Sequence, residues 1–191
     1  MKLRYFTLST IKEAAVLVRD GGLIAYPTEG TYGLGCDPHN ARATASLFQL
    51  KQRSNELGFL LIAADYEQVL QYVDESRVPT RMLRRVKTSW PGPVTWILPR
   101  TSKVPAWVVG THEGIALRVT EHEPAAELCR AFGGALISTS ANPHGRPPAR
   151  SAQAVADYFG TTLDGVVAGP TGGSSAPTPI FDALTGRTVR A

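Results

Sequence analysis

Apolar positions along the chain keep two rhythms, and the two alternate. Behind Thr10 they recur at Ile11, Ala14, Ala15 and Val18, the spacing of a helix with one face on a core. Thr10-Ile-Lys-Glu13 has the form of a capping box for its start, and Gly21-Gly22 supplies its stop. GLIAYPT then stays apolar up to Pro27, as a short buried strand does. Asn40 is placed to cap a second helix, ARATASLFQLKQR, with Ala43, Leu47 and Leu50 on its inner face. FLLIAA predicts another strand. Asp65 caps the helix after it, and Pro79 suits the first helical position ahead of TRMLRRVKTSW.

The alternation continues. WPGPVTWILP holds a strand and GIALRVT is another; EPAAELCRAFGG reads as a helix with its glycine stop, and ALIST as a strand. Ser151 caps a helix over AQAVADYFG, and the tail from Gly165 holds short strands joined by a Gly/Ser/Pro loop. Strands alternating with helices predict an α/β fold. Strand runs this continuously apolar call for a sheet covered on at least part of both faces. No repeat and no boundary interrupts the pattern, so residues 1–191 are expected to form a single domain.

Composition narrows the class. An apolar share of 43% and a charged share of 19% are those of a soluble globular chain. No apolar run approaches the ~18 residues of a membrane span. The N-terminal MKLRYFTLSTIKEAA has neither the apolar core nor the A-x-A site of a signal peptide, so a cytoplasmic location is expected. Cys36 and Cys129 are too far apart for a C-x-x-C site and are expected to pack as small apolar residues. His39, His112, His122 and His144 lack ligand spacing, which argues against a structural transition-metal site. The net charge is +4, with arginine well ahead of lysine, which suits planar anionic partners without demanding one.

Candidate chemistry sits where polar residues interrupt strand ends, because α/β sheets gather ligands there. Thr28 and Glu29 end one strand, Thr95 opens another, Arg118 lies within a third, and Ser138, Thr139, Ser140 and Asn142 end a fourth. Thr28 and Thr95 could equally satisfy local backbone, and Arg118 could pair with a structural carboxylate. Lys51 and Arg53 either complement a helix C-terminus or grip phosphates. No G-x-x-x-x-G-K-[ST] is present, and Gly33-Leu-Gly35 is a weak fragment of a dinucleotide fingerprint. No G-x-S-x-G elbow surrounds Ser138 or Ser140, which leaves a serine nucleophile poorly supported.

In order and spacing, PTEGTYGLGCD, LFQLKQR, SWPGPVTWILP, IALRVT and LISTSANPHGRPPARS resemble the YrdC/TsaC family of threonylcarbamoyl-AMP synthases, in its short single-domain form. The resemblance runs from about residue 20 to Val189-Arg190-Ala191. It implies a twisted, largely mixed sheet with flanking helices around a positively charged cavity. It implies an ATP-dependent synthesis of threonylcarbamoyl-AMP from L-threonine and bicarbonate or CO2, with release of pyrophosphate. It implies, as partner, a transferase that moves the threonylcarbamoyl group to tRNA.

By that resemblance Lys51, Arg53, Ser140 and Asn142 form the ATP-handling and catalytic quartet. Thr28, Arg118, Ser138 and Thr178 surround threonine; Thr95 and Arg190 join the ATP contacts. Mg²⁺ is expected on the phosphates, since the sequence offers no carboxylate cage. The run Ser54-Asn-Glu-Leu57-Gly58 departs from the family pattern, in which Leu57 would be basic or an amide. Arg146 and Arg150 either line the nucleotide entrance, touch RNA, or form a solvated loop. A competing class is a non-catalytic module of the same fold that binds tRNA or double-stranded RNA. That module would bind with a steep salt dependence and release no pyrophosphate. A carbamoyl-adenylate-forming domain of the hydrogenase-maturation kind is a third class, disfavoured by the free-standing short chain.

Overall fold

The computed structural model describes residues 2–174 and 176–190. Its first half runs β1 (Arg4–Phe6), α1 (Ile11–Arg19), β2 (Ile24–Pro27), β3 (Tyr32–Gly35), α2 (Ala41–Lys51), β4 (Leu60–Ala63), α3 (Glu67–Leu70) and α4 (Thr80–Thr88). The second half runs β5 (Thr95–Pro99), α5 (Ala106–Val109), β6 (Gly114–Val119), α6 (Glu123–Phe132), β7 (Leu136–Ser140), α7 (Ala152–Phe159), β8 (Gly165–Val167), β9 (Ile180–Asp182) and β10 (Thr188–Arg190). The fold is α/β, as the alternation predicts.

The strands form one mixed sheet in the order β1-β8-β2-β3-β7-β4-β6-β5-β9-β10. Parallel and antiparallel neighbours are interspersed: β4 runs parallel to β6 and antiparallel to β7, and β3 lies antiparallel between β2 and β7. Successive residues of single strands divide between two separate apolar clusters. Ala25, Leu61 and Ile137 join the larger; Ile24, Tyr26, Ile62 and Leu136 join the smaller. Strand side chains alternate between faces, so the clusters lie on opposite sides of the sheet. α1 and α6 close the smaller one, with Ala14, Ala15, Leu17 and Val18 meeting Ala125, Ala126, Leu128 and Cys129.

Local signals explain most boundaries. Asn40 Oδ1 accepts from Ala43 N at 3.0 Å and Ser151 Oγ from Ala154 N at 3.1 Å, the caps expected for α2 and α7. Asp65 Oδ1 accepts from Gln68 N (2.9 Å) ahead of α3. Gly21 (φ +87°) and Gly133 (φ +92°) take the left-handed conformation that ends α1 and α6.

Two expectations need correction, and two strands went unpredicted. Thr10 makes no side-chain cap for α1; its Oγ1 turns back to accept from Thr7 N, because a 3₁₀ turn over Leu8–Thr10 precedes the helix. Pro79 lies one residue before α4 rather than at its first position. The unpredicted strands are β1, too short for its pattern to show, and β3, which holds Gly33-Leu-Gly35 and is paired on both edges.

Candidate functional site

On the face closed by α1 and α6, cover runs out toward the other end of the sheet. Arg118 lies beside Ile62 in the β4–β6 register, and Ser138 lies opposite Leu60 where Leu136 lies opposite Ile62. The same face therefore passes from buried Ile62 and Leu136 to polar Arg118 and Ser138. Beyond the helices it opens as a cleft of about 720 Å³, within the usual range of roughly 300–1,000 Å³ for small-molecule sites. Eight of the ten site residues implied by the resemblance line it: Thr28, Arg53, Thr95, Arg118, Ser138, Ser140, Thr178 and Arg190. Arg150 joins them, so arginines 53, 118, 150 and 190 face a lining in which, among the described residues, Glu113 is the single carboxylate.

Arg118 is the most enclosed of these arginines, 6% exposed. Its Nη1 donates to Thr178 Oγ1 at 2.7 Å and stands 3.6 Å from Glu29 Oε2. Arg190 Nη2 in turn donates to Thr178 O at 2.7 Å. The tail loop thus brings Thr178 between Arg190, twelve positions on, and Arg118, sixty positions back. Thr95 is fully buried at the start of β5, one residue before Trp96, the register partner of Leu117, which places it beside Arg118. Among the described residues its Oγ1 has no hydrogen-bond partner. A buried hydroxyl left unpaired beside a cleft is a costly group that a ligand could satisfy. Thr28, by contrast, spends its hydroxyl locally, donating to Thr31 O at 2.7 Å.

Lys51 and Arg53 part company at the end of α2. Gln52 adopts a left-handed conformation (φ 48°), and Gln52 N and Arg53 N bond back to Gln49 O and Phe48 O. This reversal sends the two cations in different directions. Lys51, 8% exposed, donates from Nζ to Ser140 O (2.7 Å), Asn142 O (2.6 Å) and Asn142 Oδ1 (2.9 Å). Ser140 Oγ donates to the same Oδ1 at 2.6 Å. Lys51 and Asn142 are absent from the cleft lining and are hydrogen-bonded to each other and to Ser140. Burial first, and the nearby Arg53 guanidinium second, push the Lys51 ammonium down to about 8 from its ordinary 10.5. Arg53 reaches the cleft over the Phe59 ring (5.3 Å) and donates to Leu57 O at 3.2 Å. Leu57, the departure from the family pattern, lines the rim with its side chain exposed and its carbonyl engaged by that arginine.

β3 earns its glycines by proximity. A Cβ on Gly35 would lie 2.3 Å from Ile137 O and 3.0 Å from the Tyr26 ring; one on Gly33 would lie 3.1 Å from Ser138 Oγ. The glycines let β2, β3 and β7 close up and leave Ser138 its place in the cleft floor. Sequence reasoning missed Thr31, Gly33 and His112 as lining residues. It also left unassigned Glu29, which lies in PTE directly after Thr28; a carboxylate closing an apolar strand was the available signal. Cys36 and Cys129 are buried and free. Among the described residues no three His, Cys, Asp or Glu side chains gather in a way that could hold a metal ion. No described helix is long and apolar enough to cross a membrane.

With this geometry in place, likenesses to known proteins become informative. The Sua5/YciO/YrdC family model, described as "Telomere recombination", matches residues 16–191. A curated relative from Halorhodospira halophila, named threonylcarbamoyl-AMP synthase, is 49% identical over 180 residues, 94% of this chain and 93% of its own. The crystal structure of P. abyssi Sua5 complexed with L-threonine superposes with a TM-score of 0.87 at 28% identity, over 95% of this chain and 54% of that one. The chain thus spans about half the length of P. abyssi Sua5. E. coli YciO superposes with a TM-score of 0.82 at 25% identity, over 100% of this chain and 97% of its own. A family match over nearly the whole length, joined to near-half identity with a relative of the same extent, establishes that the chain belongs to the Sua5/YciO/YrdC family.

Proposed function

We propose that residues 1–191, acting as one catalytic domain, synthesise threonylcarbamoyl-AMP from L-threonine, bicarbonate or CO2, and ATP, releasing pyrophosphate. The observation that carries this reading is the convergence of eight polar side chains, from seven separated stretches of sequence, on one cleft. The curated relatives' name points to the same activity.

The reaction has two bond-forming steps. The threonine amine, as the free base, forms a C–N bond to the carbon of CO2 with release of a proton, or to that of bicarbonate with loss of water, and gives a carbamate. A carbamate oxygen then attacks the α-phosphorus of ATP, and pyrophosphate leaves with the electron pair of the broken P–O bond. Neither step needs a protein nucleophile, and holding the reactants in line supplies roughly 7–11 kcal/mol of the barrier in well-oriented cases. Arg118 receives the threonine carboxylate, a charged hydrogen bond worth about 1.5–3 kcal/mol. Thr178, Thr28 and Ser138 surround the amino acid. Arg53, Thr95, Ser140 and Arg190 face ATP, with the Arg53 guanidinium placed to stabilise charge on the phosphates. Lys51 and Asn142 hold the Ser140 turn from behind. Among the described residues no cluster of carboxylates, histidines or cysteines is placed to hold a metal, so a Mg²⁺ ion accompanying ATP would be held by the phosphates and would supply neutralising charge there.

In this scheme the product passes to a separate transferase for addition to tRNA. Work on tRNA is cytoplasmic work, and we assign the enzyme to that compartment on that ground. The test incubates the purified protein with ATP, threonine, bicarbonate and Mg²⁺ and follows pyrophosphate and the adenylate. Threonine-dependent release of both is expected. ATP binding without threonine-dependent pyrophosphate would sink the synthase reading and favour the RNA-binding alternative.

A further inference from the structure

Behind Arg118 stands a group to which the scheme above gives no task. Glu29 is 8% exposed and does not line the cleft. Its Oε1 accepts from Thr120 Oγ1 at 2.5 Å, and its Oε2 lies 3.6 Å from Arg118 Nη1. Among the described residues Oε2 has no hydrogen-bond partner of its own. The surrounding backbone is pinned by the tail: Thr28 O accepts from Gly172 N at 3.0 Å and Glu29 O from Ser174 N at 2.9 Å. A Cβ at Gly172 would lie 2.9 Å from Glu29 O, so only glycine lets the tail approach this closely.

The result is a chain of contacts, Thr120–Glu29–Arg118–Thr178, that joins the end of β2 to the end of β6 and to the tail. Glu29 draws the guanidinium from the protein side, and Thr178 meets it from the tail. A buried arginine beside a cleft needs such a counter-charge, because an isolated buried cation is strongly disfavoured. A long side chain gains orientation only if something fixes it. We infer that Glu29, backed by Thr120, is the positioning residue for recognition of the amino-acid carboxylate: it holds Arg118 so that one edge of the guanidinium remains free for substrate. This inference rests on the proposed role of Arg118 in binding threonine.

The test varies threonine and ATP separately in steady-state pyrophosphate release. Glu29→Gln keeps the size of the side chain and an oxygen for Thr120 while removing the charge. Its KM for threonine is expected to rise at least about tenfold, with the KM for ATP staying within about twofold. Glu29→Asp, which restores the charge on a shorter stem, should recover part of the loss. Thr120→Val, which is isosteric, should raise the threonine KM in the same direction by about three- to fivefold. A purely structural glutamate would lower the melting temperature and the active fraction and leave the threonine KM in place. A threonine KM for Glu29→Gln within about twofold of the parent, at any kcat, therefore overturns the inference. If Glu29→Gln does not fold, an unchanged threonine KM in Thr120→Val overturns it. An active parent with unaltered variants sinks this inference alone, whereas a parent without threonine-dependent turnover sinks the synthase reading and this inference with it.

Discussion

Lys51 and Arg53 are two residues apart, yet their side chains make different contacts because Gln52 reverses the chain between them. Arg53 reaches the cleft. Arg53→Ala should lose about 10²-fold in kcat, the usual effect of removing one donor to transition-state charge, with an unchanged far-ultraviolet circular dichroism spectrum. Lys51 instead binds three oxygens of the Ser140–Asn142 turn. Lys51→Met leaves those acceptors stripped, and should cost about 1–3 kcal/mol of stability together with activity, read by denaturant titration and turnover. Its pH signature is distinct. The folded value of about 8 lies below the ordinary 10.5, so between those limits the unfolded chain holds a proton that the folded chain has released. Stability from this group therefore rises with pH across that window, and Lys51→Met should lack the rise.

At the scale of elements, the caps of α2 and α7 were legible, that of α1 was misplaced, and β3 was hidden. Asn40 and Ser151 cap as their side-chain chemistry requires, since the bond spans only three residues. β3 hid because two of its four residues are glycine, which erases the alternation that marks a strand. The glycines answer to a neighbouring strand, which no local pattern reports. Their substitutions should separate. Gly35→Ala drives a Cβ onto Ile137 O and should destabilise by about 3 kcal/mol, the upper end of typical overpacking. Gly33→Ala meets the movable Ser138 hydroxyl, so it should lower turnover more than the melting temperature.

Across the whole molecule, burial sets the alkaline limit. Burial pushes the Cys36 and Cys129 thiols from 9.0 up to about 12. Between those values the folded chain keeps protons that the unfolded chain releases, so these groups stabilise fully below pH 9.0 and their contribution is lost as pH rises toward about 12. Denaturation curves across that range should show falling stability, and the Cys36→Ala/Cys129→Ala double variant should fall less steeply. The cleft also belongs to this scale. The sequence by itself determined the α/β alternation, most strand and helix positions, and the set of motifs that carries the family resemblance. Those depend on periodicity and short-range chemistry, which are written along the chain. Only the tertiary structure decided that Lys51 stands behind Ser140, that Thr178 meets Arg118, and that Glu29 lies beyond it. These contacts join residues 89, 60 and 89 positions apart. Periodicity tells which face a side chain takes, whereas a hydrogen bond needs a partner at about 3 Å, and only packing of the sheet brings such partners together.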